Sequence, residues 1–234
     1  MKVSALDKDS ALRLARQEVR STLDAISFCD SLLTPHGISL SPAIDGFERA
    51  AAPAAIFNED RSFWSPSEFG GRPVVLNALF QKKGRSAGTR KVSDLLRVEK
   101  PSPTQQRIAT ALGWVGRATG KARPAEAFLF YLIALESLIL GPDKDSELTY
   151  RLRVRCAHLL AARKLGSRQH VSKRVSDLYG IRSGIVHKSV RDVAAEELGA
   201  ARLYAQRAIL EVLHTRRIKK NTDLENWFNE QVLK

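Results

Sequence analysis

Cysteine is scarce in this chain, which has two cysteines among 234 residues. Cys29 and Cys156 lie 127 positions apart, a spacing that matches no metal-binding or redox motif. The pattern argues against a disulfide framework and against a metal site built from cysteines alone. We expect two reduced core thiols and no cofactor.

Long apolar runs are missing as well. The longest, residues 127–140, is interrupted by Glu136 and Ser137 and is too short to span a bilayer. The opening residues, MKVSALDKDSALRLARQEV, contain no apolar stretch of the kind found in signal peptides. The sequence therefore predicts a soluble cytoplasmic protein without a membrane partner.

Acidic residues are too few to balance the basic ones. The chain has 38 Lys and Arg against 25 Asp and Glu, and residues 101–234 hold 23 of the bases and 13 of the acids. Such an excess favours polyanions such as RNA through counterion release, although a solvated basic surface would have the same composition. Acids are absent between Leu148 and Ser176. The residues predicted to bind RNA phosphates lie in that stretch or shortly after it: Arg151, Arg153, Arg163, Lys164, Arg168, Lys173, Arg174 and Lys188.

Apolar periodicity predicts a mainly α-helical fold. A first helix is expected over residues 8–33, followed by an irregular stretch, a short strand VVLNALF and a basic linker QKKGRSAGTRK. A boundary is expected at VEKPSPTQQ, where Ser102 can cap a helix that begins with Pro103. Only helices are predicted beyond this boundary, over residues 103–119, 125–140, 146–164, 171–187 and 190–215.

The predicted organisation has three parts. Residues 1–100 form a less regular, partly helical region whose role is open: it can sense a trigger, inhibit the rest of the chain or extend a dimer. Residues 101–220 form a bundle of about five helices. Residues 221–234 form a C-terminal tail.

The helix predicted at residues 125–140 is apolar on nearly every side. This is typical of the central helix of a bundle or of a helix at an oligomer interface. Glu136 is the exception, at the edge of the apolar stripe, and it needs a cationic partner because burying an unpaired charge is costly. Arg155 projects close to the apolar stripe of the next helix and is one candidate partner.

The helix predicted at residues 171–187 carries an arginine where a leucine would be expected. Val171, Val175 and Leu178 form one stripe, and Arg182 returns to that stripe within about 20°. His187 lies five residues further on, which is about 140° around a regular helix. Either the helix ends or distorts before His187, or a second subunit completes any site that the two residues share.

Spacing alone does not single out Arg182 and His187. Five Arg–His pairs in the chain have four to six intervening residues, against roughly 1.5 expected by chance. The surrounding segments are more specific. Three segments occur in the order FLFYLIALESL, SELTYRLRVRCAHLL and LYGIRSGIVHKS. Together they resemble the Apea-like branch of the HEPN (higher eukaryotes and prokaryotes nucleotide-binding) superfamily over residues 103–215.

The resemblance implies an all-helical bundle that dimerises, so that the Arg and His of two protomers meet in a shared cleft. In many members that cleft cuts RNA without a metal. Carried over to this chain, Arg182 and His187 are the catalytic pair, Ser183 occupies the variable polar position after the arginine, and Glu136 is a supporting residue. A role in defence or as a toxin is implied in the same way.

These residue types suit RNA cleavage. RNA supplies its own nucleophile, the 2′-OH, so the site needs a proton acceptor and donor, which histidine provides, and a cation on the phosphorane, which arginine provides. The alternatives are a catalytically inactive HEPN module that binds RNA or a protein partner, and a purely structural dimerisation domain. In both of these, Arg182 is a structural arginine paired with Glu136, and His187 is an ordinary helix-terminal histidine.

Overall fold

The computed structural model describes residues 7–33, 56–57, 63–64, 88–119, 123–140, 147–161, 165–188, 192–214 and 224–232. Within these ranges the chain forms eight helices and one pair of two-residue antiparallel strands. The helices are α1 (Lys8–Leu33), α2 (Thr89–Leu96), α3 (Pro103–Thr119), α4 (Pro124–Ile139), α5 (Leu148–Leu160), α6 (Arg168–Lys188), α7 (Ala195–His214) and α8 (Leu224–Val232); the strands are β1 (Ile56–Phe57) and β2 (Phe63–Trp64). No described helix is both long enough and apolar enough to cross a membrane.

The prediction of a mainly α-helical fold is confirmed, and α3 to α7 correspond to the predicted five-helix region. The predicted cap at Ser102 is present. Ser102 Oγ accepts a hydrogen bond from the Gln105 N–H at 3.3 Å, and Gln105 Oε1 accepts one from the Ser102 N–H at 2.8 Å. This reciprocal pair is a capping box, which satisfies N–H groups that the start of a helix leaves without partners.

Some helix boundaries differ from the prediction. α6 begins at Arg168 rather than at residue 171, because Ser167 Oγ accepts a hydrogen bond from the His170 N–H at 3.1 Å and starts the helix earlier. α2 begins inside the stretch that was expected to be a basic linker. The strand predicted at residues 74–80 lies outside the described residues.

The segment predicted as a C-terminal tail contains a packed helix. Three side chains of α8 join the same hydrophobic core as the bundle: Leu224, Trp227 and Phe228. Glu225 forms ion pairs with Arg107 of α3 at 2.8 Å and with Arg155 of α5 at 2.5 Å. This part of the tail is therefore a structural element of the bundle.

α4 is the central helix of the bundle. It packs against α3, α5, α6 and α7, and its fully buried side chains lie on several sides of the helix: Phe128, Leu132, Leu135, Leu138 and Ile139. Burial of each such side chain contributes about 1.5–3 kcal/mol. The prediction of a central helix is confirmed, and because neighbours from the same chain surround α4, its composition does not require a second subunit.

The N-terminal region joins the bundle through α1, whose C-terminal half packs on α3. The helices approach closely at Gly116, where a Cβ atom would collide with the backbone of Asp24. The Asp24 carboxylate is buried and is bound by Arg20 at 2.9 Å and by Arg117 at 3.2 Å. Burial raises the pKa of Asp24, and the two arginines oppose this rise. The absence of a side chain at Gly116 thus permits the contact between α1 and α3.

Two glycine-to-alanine substitutions should change stability in opposite directions. Gly116→Ala forces α1 away from α3, and we expect a loss of about 1–3 kcal/mol from overpacking. Gly180→Ala in α6 adds a Cβ that meets no atom within 4 Å in the part of the chain that the structure describes. It should increase the free energy of unfolding by about 0.5–1 kcal/mol, because alanine loses less backbone entropy in a helix. Urea unfolding measures both values, and equal effects would contradict the close packing of α1 on α3.

Candidate functional site

The side chains of Glu136 and Arg182 meet between α4 and α6. Arg182 Nη2 donates a hydrogen bond to Glu136 Oε2 at 3.3 Å, and Nε lies 2.8 Å from Oε1 in a contact that is too far off line to be a hydrogen bond. The exposed fractions are 26% for the arginine side chain and 21% for the glutamate side chain. The prediction that Glu136 has a cationic partner is confirmed, and that partner is Arg182.

The surroundings of this pair restrict the guanidinium further. Its central carbon lies 5.2 Å from the centroid of the Tyr179 ring, a cation–π arrangement. Burial raises the pKa of Glu136, while the charge of Arg182 and its hydrogen bond oppose that rise. Nε and Nη2 face the carboxylate. Nη1 is therefore the end of the guanidinium that can bind a second anion.

Arg155 does not bind Glu136, which makes that predicted pairing wrong. Its guanidinium donates a hydrogen bond to the Ile139 carbonyl at 3.0 Å, forms the ion pair with Glu225, and lies 5.0 Å from the centroid of the Phe228 ring. Helical periodicity placed Arg155 correctly on the buried face of α5. It gave no sign that a helix from the C-terminus would supply the carboxylate.

His187 lies in the last turn of α6 and is exposed. α6 continues to Lys188, so the helix does not end before His187. By helical geometry, Arg182 and His187 project about 140° apart and are separated by about 7.5 Å along the axis. Ser183, which was predicted to support the site, is exposed on the same side of α6 as His187, within about 40°. A second subunit is the remaining way to bring Arg182 and His187 to one phosphate.

Three of the residues predicted to bind RNA phosphates share one groove. Arg153 of α5 and Arg168 and Lys173 of α6 line a cavity of about 510 Å³ between these two helices. Among the described residues, none forms an ion pair with any of the three. They are thus available to an external anion.

The other predicted RNA-binding residues are not part of this groove. Arg174 follows Lys173 in sequence, but its guanidinium is bound by Glu197 at 3.0 Å. Arg151 is half-buried on α5 and does not line the groove. The remaining ones lie outside what the structure describes: Arg163, Lys164 and the side chain of Lys188.

The groove also contains polar residues that the sequence pattern did not single out: Gln169, Ser172, Ser176 and Asp177. His158 of α5 also lines the groove and is half-buried. Burial and the charge of Arg168 lower the pKa of His158, which favours the neutral form of its ring. Spacings of three and four residues place each set on one face of its helix. Which faces of α5 and α6 meet is a property of the tertiary structure.

Removing one member of the Glu136–Arg182 pair should destabilise the protein more than replacing both. Glu136→Leu leaves a largely buried arginine without its partner and should cost about 1–3 kcal/mol, less than for a fully buried pair because both groups are partly exposed. Combining Glu136→Leu with Arg182→Met should recover most of that loss.

Glu230→Leu, on the exposed side of α8, is the matched control and should have little effect. Urea unfolding of the wild type, Glu136→Leu, Arg182→Met and the double variant gives the coupling energy between Glu136 and Arg182. Strictly additive losses would show that the two side chains do not stabilise each other.

Comparison with known proteins identifies no relative. No protein-family model matches the chain, and comparison with curated proteins and with solved structures finds no similar protein. The resemblance to the HEPN superfamily remains an expectation carried by three sequence segments.

Proposed function

We propose that this protein is an endoribonuclease that needs no metal and cleaves RNA at a site shared by two copies of the chain. The observation that supports the proposal best is the arrangement on α6. A guanidinium is fixed there by Glu136, and an exposed histidine follows five residues later. A fixed cation and an accessible proton-transfer group are the two components that RNA cleavage requires.

Arg182 stabilises the charge that develops on phosphorus. Glu136 and Tyr179 hold one edge and one face of the guanidinium, and Nη1 donates to a phosphate oxygen. Glu136 is a positioning residue in this scheme. It fixes the direction of the donor at the cost of neutralising part of its charge.

His187 transfers the protons. The 2′-oxygen attacks the adjacent phosphorus and forms a new P–O bond while a neutral His187 accepts the 2′ proton. The bond from phosphorus to the 5′-oxygen breaks, and a protonated His187 of the second copy gives its proton to that oxygen. The products are a 2′,3′-cyclic phosphate and a 5′-hydroxyl. The two histidines finish with their protonation states exchanged.

Two copies are required because one α6 helix cannot direct Arg182 and His187 to the same phosphate. A two-fold axis near the C-terminal end of α6 places both residues of both chains around one cleft. The requirement rests on the geometry of α6 alone, since α4 is surrounded within its own chain.

Substitution of either residue should strongly reduce cleavage, and the histidine variant should remain folded. His187→Ala and Arg182→Ala should each lower the cleavage rate by about 10²-fold or more, and Arg182→Lys should remain poor because an ammonium lacks the planar two-donor geometry. The assay uses purified protein and mixed single-stranded RNA in EDTA. It should yield 2′,3′-cyclic phosphate ends.

Arg153→Ala combined with His158→Ala is the control, because this pair has the same spacing as Arg182 and His187. It should weaken RNA binding in a salt-dependent way and leave the maximal cleavage rate nearly intact. If this control loses the chemical step while the Arg182 and His187 variants keep it, the site has been assigned to the wrong helix.

The shared site predicts a dimer at micromolar concentration and a specific response to mixing. When wild-type and His187→Ala chains are co-expressed, activity should fall with the square of the wild-type fraction, because each site uses both histidines. Light scattering gives the assembly state. A fall in direct proportion to the wild-type fraction, or full activity in a monomer, would contradict the shared site.

RNA binding without cleavage is a second candidate function. It is favoured by a specific observation: Glu136 already engages the charge of Arg182, whereas the cations of the α5–α6 groove have no partner among the described residues. Binding of RNA with no products in the assay above would support this function over the nuclease.

A further inference from the structure

Six cationic side chains on α5 and α6 fall into two groups. Arg155, Arg174 and Arg182 are each bound by a glutamate from another helix. Arg153, Arg168 and Lys173 are bound by no carboxylate among the described residues, and all three line the groove between the two helices. Three arginines that serve packing are thus neutralised, and three cations without a carboxylate partner among the described residues lie together in one cavity.

The charge in this groove is unbalanced. Asp177 is the one carboxylate in its lining, against three cations. Like charges that share a cleft repel one another, and a cleft of one sign concentrates the field on a ligand of the opposite sign. An anion that spans the groove removes the repulsion.

Uncharged polar groups accompany the cations. Gln169, Ser172 and Ser176 line the same cavity and can donate hydrogen bonds to phosphate or sugar oxygens. The Nδ1 atom of His158 is buried and has no hydrogen-bond partner among the described residues. Mixed cationic and neutral donors are suited to a sugar–phosphate backbone, which alternates charged and hydroxyl groups.

An aromatic ring lies beside the groove. Tyr150 is 52% exposed, and it precedes Arg153 and Val154 by one turn on the same face of α5. The Arg153 guanidinium lies 5.1 Å from the centre of this ring. Aromatic rings next to a positive groove bind single-stranded nucleic acids by stacking on their bases.

The groove face of α6 leads towards His187. Four residues project within about 40° of His187 around the helix: Gln169, Ser176, Gly180 and Ser183. Along the helix axis, His187 lies about 21 Å from Lys173. Gly180 and Ser183 are exposed, and a Cβ on Gly180 would meet no atom of the described residues within 4 Å. None of the described residues therefore obstructs a strand on this face.

We propose that the α5–α6 groove binds the backbone of single-stranded RNA, with its phosphates on Arg153, Arg168 and Lys173 and a base on Tyr150, and directs the strand along α6 to His187. The phosphate that is cut then lies a few nucleotides from the phosphates that are bound. This inference rests on the proposed function for the identity of the ligand, and it adds where the substrate is held.

The test measures binding separately from cleavage. A fluorescent 2′-O-methyl oligonucleotide, which has no free 2′-OH and is not cut, is titrated with full-length protein over a range of salt concentrations. Arg168→Gln with Lys173→Gln should weaken binding and reduce the slope of log K against log salt by about 1.4, since each phosphate contact on a single strand contributes about 0.7. Tyr150→Ala should weaken binding and leave the slope unchanged.

Arg97→Gln with Lys100→Gln is the matched control, because these exposed residues lie outside the groove and the same charge is removed. Circular dichroism verifies that each variant is folded. Equal RNA affinity of the groove and control variants would overturn the proposal that the α5–α6 groove binds RNA, even if the wild type cleaves unmodified RNA. Loss of binding in the groove variant alone, with no cleavage by the wild type, would support the groove and reject the nuclease.

Discussion

Burial of α4 is the constraint on which the rest of the fold depends. A helix that is apolar on nearly every side is stable in water only when other helices surround it, and α3, α5, α6 and α7 do so here. The same burial fixes the position of Glu136, the carboxylate at the edge of the apolar surface. Because an ionised glutamate in that environment needs a cation, the packing of α4 also determines where Arg182 of α6 must be. Stability and the candidate site thus share one contact.

The basic composition of the chain serves two distinct purposes. Several arginines have structural roles: Arg155 joins α5 to α8 through Glu225, and Arg117 binds the buried Asp24 of α1. These charges are neutralised within the fold and contribute little to attraction of a distant polyanion. The groove cations Arg153, Arg168 and Lys173, which have no carboxylate partner among the described residues, are a smaller set on one surface. Net charge alone would have suggested a more diffuse basic face.

α6 connects the groove to the proposed catalytic residues. One side of this helix buries Val171, Val175 and Leu178 in the core, and Arg182 continues that side towards Glu136. The other side carries exposed polar and small residues and ends at His187. In the proposed scheme, the buried side sets the position of the phosphate-stabilising cation, and the exposed side holds the strand and transfers protons. A rigid helix keeps these tasks in a constant relation along its axis.

The sequence by itself determined the helical class, the central position of α4, the cap at Ser102 and the need of Glu136 for a cation, because helical periodicity and capping are local properties. It also placed Arg182 on the buried stripe of α6. The tertiary structure decided which partner each charge obtains. Arg155 was one candidate partner for Glu136 and instead binds Glu225, since α8 packs on α5 from more than sixty residues along the chain. The groove arises in the same way: periodicity assigns residues to faces of α5 and α6, but only the packing of the two helices shows that the cationic faces meet.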